Sequence, residues 1–433
     1  MTQTAPPAAA SGFSRGQRRA LSVLGVSQAL GGAGMAAGIT VGALLAQDLL
    51  RSTSLTGLPA ALYTIGAALG AVALGRVCQR FGRRSGLALG NGVAALGSAG
   101  VVAGAAARWP ALLLVALFVY GAGTVTGLLA RYTGADLAPP ERRGRAAGIV
   151  LFAMTLGAVV GPNLMGPTGA VAEAWGIPRL AGPFLLAVAA YTAAALVLLV
   201  WLRPDPLLLA RPREPRDAGA EPEPGPRAPG PRGPVLRAPG VITGATVLVV
   251  AQLVMIAVMT MTPVHMTGHG QGTQAVGLVI ALHVGAMFLP SPLSGLLADR
   301  FGGRRVAAAA GAVLLAAGLA AALAPPASVT PLACALVVLG VGWNLALLGG
   351  TALITDAAPA ENRAAVQGMA DVGMSVAGAT GGMVSGLVMG GGGYPVLTAA
   401  AGALALAVIP AVALSGTRRH PRKGPGAHGG ASA

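Results

Sequence analysis

The sequence predicts an all-α polytopic membrane protein, with twelve transmembrane helices arranged as two pseudo-symmetric six-helix bundles. Three observations carry that expectation: an apolar composition, twelve apolar stretches of spanning length, and charged phrases that recur at a fixed offset. Hydrophobic residues make up 54% of the 433 positions and charged residues only 10%, with a mean hydropathy of +0.72. Soluble domains carry roughly 25% charged residues. No segment is polar enough and long enough to form a separate catalytic domain.

The first element follows Arg15, Arg18 and Arg19 and runs from Leu21 to about Ala46. A cleaved leader has an apolar region of about 7–15 residues, whereas a span takes about 20. This run is therefore read as a first transmembrane helix. Further apolar segments follow near 57–77, 86–107, 110–133, 145–170 and 181–202, and again near 241–264, 275–297, 306–324, 331–355, 364–389 and 395–415. The expected organisation is an N-terminal tail (1–20), a six-helix bundle (21–202), a linker (203–240), a second bundle (241–415) and a C-terminal tail (416–433). The linker is dense in Pro, Gly and charge, which denies it a packed core and makes a flexible, solvated connection the expectation.

Charge fixes the orientation. The net charge is +16, yet its arginines sit in short clusters between apolar runs, and aromatic residues make up only 4% of the chain. That is the pattern of membrane flanks, not of a nucleic-acid surface. Twenty-five of the 29 Lys and Arg residues fall on one side of the twelve-span layout, against Arg51, Arg108 and Arg179 on the other, with Arg131 inside a span. The Lys/Arg-rich side is the cytoplasmic one, so both termini and the linker are expected there, in a multi-pass protein of the cell membrane. Cys78 and Cys334 fall near opposite faces, too far apart for a disulfide.

The recurrence is specific. Gly75, Arg80, Phe81 and Gly82 in "GRVCQRFGRR" match Gly295, Arg300, Phe301 and Gly302 in "GLLADRFGGRR" at an offset of 220. "DLAPPERRGRAAG" from Asp136 matches "DAAPAENRAAVQG" from Asp356 at the same offset, pairing Arg143 with Arg363. Two matches at one offset indicate a duplicated six-helix unit, and internal repeats of this kind mark secondary transporters.

On these phrases and the twelve-span plan, the chain resembles the major facilitator superfamily over almost its whole length, and in feel proton-driven efflux permeases. The resemblance implies two bundles rocking around a substrate site near the bilayer midplane. It makes Gly75, Arg80, Gly82, Arg84, Asp136 and Arg143, with Gly295, Asp299, Arg300, Gly302, Arg304, Asp356 and Arg363, candidates for a conformational latch. The arginines are expected to pair with Asp136 and Asp356 at neighbouring helix ends through charge-assisted hydrogen bonds. One departure stands out: Gln79 occupies the place of Asp299, so an N-terminal latch built on an ion pair is expected to be weaker.

Ionisable groups inside spans are costly and functional by default. Asp371, in "VQGMADVGMSVAG", is the first candidate for loading and releasing protons or for binding a cationic group. Arg131, in "GLLARYTGADLAP", is the second, with snorkelling to the headgroups as its simpler explanation. Some antiporters similar to this chain carry a deeper arginine on this helix, near the position of Ala116, which is not basic here. "GAVVGPNLMGP" resembles a helix-bend motif of exporters, with Gly157, Gly161, Pro162 and Gly166 permitting close packing and a bend; Pro167 departs from that pattern. Gln28, Asn163, Trp343, Asn344 and Gln367 are the cavity candidates, Gln252 and His283 are further polar residues that could line it, and His265 is expected as a solvated rim histidine.

The function expected is that of a secondary active transporter working by alternating access, exporting a small apolar or weakly cationic compound in exchange for protons. A proton-coupled importer of a small neutral solute and a non-transporting sensor are the alternatives. No phosphate-cradling GxxxxGK[ST] loop is present, no catalytic constellation converges at one depth, and neither metal nor cofactor is expected. The partners are a small molecule, protons and the bilayer, and a monomer suffices.

Overall fold

The computed structural model describes residues 14–50, 58–136, 138–210, 233–326 and 328–414; the side chains of 36–50, 58, 60, 158, 159, 162, 163, 210, 233, 234, 273 and 414 lie outside that description. The tail before residue 14, the linker centre at 211–232 and the tail after residue 414 also lie outside it. The described chain is helical throughout its elements. The N-terminal half comprises α1 (Arg15–Leu50), α2 (Leu58–Phe81), α3 (Arg83–Ala106), α4 (Pro110–Thr124), α5 (Thr126–Asp136), α6 (Arg143–Asn163), α7 (Met165–Ala174) and α8 (Gly182–Trp201). Two short helices, α9 (Pro206–Ala210) and α10 (Gly233–Leu236), flank the linker centre. The C-terminal half comprises α11 (Pro239–Gly268), α12 (Thr273–Phe288), α13 (Ser291–Phe301), α14 (Gly303–Leu323), α15 (Val329–Ala357), α16 (Arg363–Ala405) and α17 (Val408–Leu414).

Twelve passes account for these helices. Among the described residues, nine stretches are long and apolar enough to cross a membrane, and one of them, Arg363–Ala413, is 51 residues long. That stretch supplies two passes, because Gly393 breaks it with a φ of 76°. The first pass is α1 and the fifth is α6 continued by α7. Three passes are broken where local chemistry competes with the helix. The fourth divides at Val125, where Thr124 and Thr126 hydroxyls bond back to the Gly121 and Gly123 carbonyls, an alternative to the regular ladder. The fifth breaks at Leu164 just after Pro162, and the eighth breaks between Phe288 and Ser291 beside Pro290 and Pro292; proline removes a ladder donor and clashes with the preceding turn.

The short turns of the repeated phrase behave alike in both halves. Gly82 and Gly302 each form the one-residue joint between consecutive helices, with φ of 89° and 83°. Only glycine visits that region without strain. The linker differs from the expectation at its start: Asp205 is half-buried and engaged there. Its carboxylate accepts hydrogen bonds from the backbone N–H groups of Arg84 and Leu207 at 2.8 and 3.0 Å, capping α3 and α9 together.

Candidate functional site

The halves meet at two crossings that are copies of one another. In one, α2 crosses α16 with Gly75 against Gly368 and Ala364; in the other, α13 crosses α6 with Gly295 against Gly144. A Cβ on Gly295 would fall inside contact distance of the Gly144 carbonyl, and one on Gly148 against the Ser291 carbonyl. The backbones touch, so these positions hold glycine for reasons of space.

Helix capping across the halves completes each crossing. Asp299, on α13, accepts the backbone N–H groups of Gly144 and Arg145 at 2.6 and 2.8 Å, placing a carboxylate on the free donors at the start of α6. Gln79 occupies the same place 220 residues earlier. Its Oε1 accepts the N–H of Ala364 at 2.9 Å and its Nε2 donates to the Glu361 carbonyl. The motif's acidic position therefore serves as a helix cap, a task an amide also performs, and the expected loss of an ion pair at Gln79 does not arise.

The ion pairs use a residue outside the expected set. Arg83, fully buried, donates from Nε to Asp136 Oδ2 at 2.8 Å and from Nη2 to Gln367 Oε1 on α16 at 2.5 Å, so it ties its own half to the other. Asp356 is paired with Arg143 at 2.8 Å, again across the halves but at the surface. Arg80 and Arg300 lie over the rings of Phe81 and Phe301, Arg84 contributes its backbone N–H to Asp205, and Arg363 donates to the Ala358 carbonyl at 3.3 Å.

Deeper in, the two charged residues of the spans meet. Arg131 Nη2 and Asp371 Oδ1 are 2.6 Å apart, with both side chains at most 1% exposed. The remaining guanidinium donors reach the Thr351 hydroxyl, the Leu128 carbonyl and the Tyr132 hydroxyl, and the guanidinium stacks over the Tyr132 ring at 4.2 Å. Arg131 is thus buried between the halves and does not snorkel. Asp371 Oδ2, by contrast, has no hydrogen-bond partner, and Asp371 is on the wall of a cavity between the halves.

That cavity has a volume of about 510 Å³. Its wall carries six methionines (Met35, Met154, Met255, Met259, Met287, Met374) and the aromatic rings of Tyr63, Phe288 and Trp343. Phe288 and Trp343 meet edge to face at 5.7 Å. Trp343 Nε1 donates to Gln252 Oε1 at 2.9 Å. Because an indole only donates, this bond fixes the amide so that its NH₂ end is the one left for the lumen.

Of the cavity candidates, Trp343 and Gln252 are on the wall. Asn344 is not: its Nδ2 donates to the Met287 carbonyl and the Ser291 hydroxyl, each at 2.7 Å, as a buried bond between helices. Gln28 donates to the Gly127 carbonyl at 3.1 Å, Gln367 belongs to the Arg83 cluster, and the Asn163 side chain lies outside the described residues. Gly157 abuts the Ala29 carbonyl of α1, which is packing, and the helix breaks after Gly161, Pro162 and Asn163; Gly166 has open space around it. His283 is buried, with Nδ1 on the Leu336 carbonyl. His265 is buried too, stacked on Tyr394 at 4.2 Å, and so is not the solvated rim residue expected. Cys78 is buried and Cys334 exposed, both as free thiols.

Two halves of six passes around a central cavity define a multi-pass membrane transporter. Comparison with known proteins makes this specific. The family model of the Major Facilitator Superfamily matches residues 23–289 and 245–432, and the chain belongs to that superfamily. It is 48% identical over 395 residues to the uncharacterized MFS-type transporter YddS of Bacillus subtilis (strain 168), covering 91% of this chain and 90% of that protein. It is 32% identical over 357 residues to the riboflavin transporter RfnT of Brucella anthropi, covering 82% and 85%. Among solved structures, the human organic anion transporter MFSD10 superposes with a TM-score of 0.70 at 17% identity, over 94% of this chain and all of that one.

Proposed function

We propose that the protein exchanges protons for a small, largely apolar compound by alternating access, acting as an exporter in the cell membrane with its basic end in the cytoplasm. The observation that carries this reading is the buried Arg131–Asp371 pair, which joins the halves on the wall of the cavity. The contacts between the halves described above lie on the basic side of the cavity, so this conformer is the one closed toward the cytoplasm. A proton reaching Asp371 neutralises it and removes the Coulombic tie to Arg131. The halves are then freed to part at the cytoplasmic end.

The residue that takes the proton is also on the wall against which a substrate sits. Proton and substrate therefore exclude each other at Asp371, and mutual exclusion at one site yields exchange. With the proton gradient directed inward, exchange moves substrate out. A single complete six-plus-six unit is sufficient for this cycle, so the working unit is a monomer.

Riboflavin belongs in the first compound panel because one relative is a riboflavin transporter. The test uses inverted vesicles energised to acidify the lumen and read with a pH-sensitive dye. Compound-triggered proton release with the native chain, lost in Asp371→Asn, is the expected result. Release that persists unchanged in Asp371→Asn sinks the assignment of the coupling site. Uptake of compound in intact cells, driven by the same gradient, favours import.

A further inference from the structure

The hydroxyl groups on the cavity wall already have partners for their hydrogens. Those of Thr124, Thr260 and Ser375 lie 3.0, 2.6 and 3.0 Å from the carbonyl oxygens of Gly121, Ile256 and Asp371. A carbonyl only accepts, so each of these hydroxyls donates to its own helix. Tyr63 Oη is 3.0 Å from Thr124 Oγ1. Because the Thr124 hydrogen is on Gly121, the Tyr63 hydrogen is on Thr124. Thr64 is engaged as well. Asp371 is paired with Arg131 and its second oxygen is buried. The hydroxyls are left with lone pairs, spread over several points of the wall.

Gln252 differs from them. Trp343 Nε1 donates to its Oε1 at 2.9 Å, and an indole cannot accept. Turning the amide over would set N–H against N–H, so Trp343 fixes which end faces away from it. That end, Nε2, lies 3.5 Å from where a Cβ on Gly378 would stand, and Gly378 is itself on the wall. Among the described residues nothing accepts the Nε2 hydrogens, and Nε2 is not one of the buried unpaired atoms. Charge narrows the ligand: Asp371 and Arg131 neutralise one another, so a ligand charge of either sign would be buried among methionine and aromatic side chains without a counter-ion. We infer that Gln252 reads a hydrogen-bond acceptor, such as a carbonyl, on an uncharged substrate, and that Trp343 is the positioning residue that imposes this choice. This rests on the cavity being the transport site proposed above. It narrows an apolar substrate to one carrying an acceptor.

Three uncharged probes of one skeleton test it on the purified full chain. Benzophenone carries an acceptor, diphenylamine an N–H donor in the same place, and diphenylmethane neither. Equilibrium dialysis of tritiated benzophenone gives its affinity, and displacement gives those of the other two. The expected result is that benzophenone binds about tenfold more tightly than either, the effect of pairing one buried polar group. In Gln252→Leu its advantage over diphenylmethane disappears. In Trp343→Phe the amide is free to turn, and diphenylamine draws level with benzophenone. A Trp343 that only packs would shift all three affinities together and leave their ratios unmoved, which overturns the positioning role. The native ranking needs no variant; equal binding of the three probes, or no binding of benzophenone, overturns the inference. Irradiation of the benzophenone complex separates the two levels, since the excited ketone inserts into nearby C–H bonds and peptide mass spectrometry reads where. Adducts on Met255, Met259 or Met374 place the probe in the cavity, and equal affinities there reject only the roles of Gln252 and Trp343. Adducts confined to other parts of the chain reject the cavity as the site and the exchange mechanism with it.

Discussion

Asp371→Asn is the perturbation from which the most can be worked out. The asparagine keeps the shape of the side chain but leaves the Arg131 guanidinium, which is fully buried, without its counter-charge. Breaking a buried pair by removing one partner costs about 3–5 kcal/mol. Arg131 retains the Thr351 hydroxyl, the Leu128 carbonyl and the Tyr132 hydroxyl as acceptors, so the lower value, about 3 kcal/mol, applies. The pair spans the halves, and the cost therefore falls on the conformer closed at the basic end rather than on the one in which the halves have parted. At about 1.4 kcal/mol per factor of ten, the closed-to-open ratio falls on the order of 100-fold. Cys78 reports this shift, because it is buried at the basic end against Leu207 of α9 and Ala364 of the opposite half. In a Cys334→Ser background, N-ethylmaleimide labels Cys78 slowly in the native chain and far faster in Asp371→Asn. Replacing both partners, Arg131→Met with Asp371→Met, removes the uncompensated charge and returns the rate toward native. Equal labelling in all three refutes the reasoning.

The other predictions use the same label. Gly295→Leu and Gly148→Leu prevent the closing of the basic end, because each added side chain meets backbone of the other half; both label fast and neither transports. Asp299→Ala removes the cap from two N–H groups of α6 and weakens closure by about 1–2 kcal/mol, whereas Gln79→Asp still accepts from Ala364 and changes the rate little. Arg83→Ala leaves Asp136 buried without its partner, a loss of about 3–5 kcal/mol, seen as a lower thermal unfolding temperature as well as faster labelling.

Much of this was legible before any coordinates. Apolar runs and the 220-residue offset located the passes and the duplication, and the offset extends to the crossings: Gln79 and Asp299 cap helices at equivalent places. The pairing of Arg131 with Asp371 was within reach, since two opposite charges in an apolar bundle lower their cost by meeting. Asn344 was misplaced by a point of geometry: neighbours on a helix point about 100° apart, so it does not share a wall with Trp343. Arg83 was hidden among surface arginines. Its one signal was asymmetry, because position 303 in the second half is glycine. The methionine lining was not legible, as apolar residues on a lumen and in a core follow the same periodicity.

The central claim is that protonation of Asp371 releases the closed end. Pulsed electron spin resonance between labels at Glu141→Cys and Glu361→Cys, exposed positions at the basic ends of the two halves, measures this directly in a Cys78→Ser, Cys334→Ser background. The account predicts a short distance in the native chain that lengthens on acidification, and a long distance in Asp371→Asn at every pH. A distance that ignores pH in the native chain, or stays short in Asp371→Asn, contradicts it.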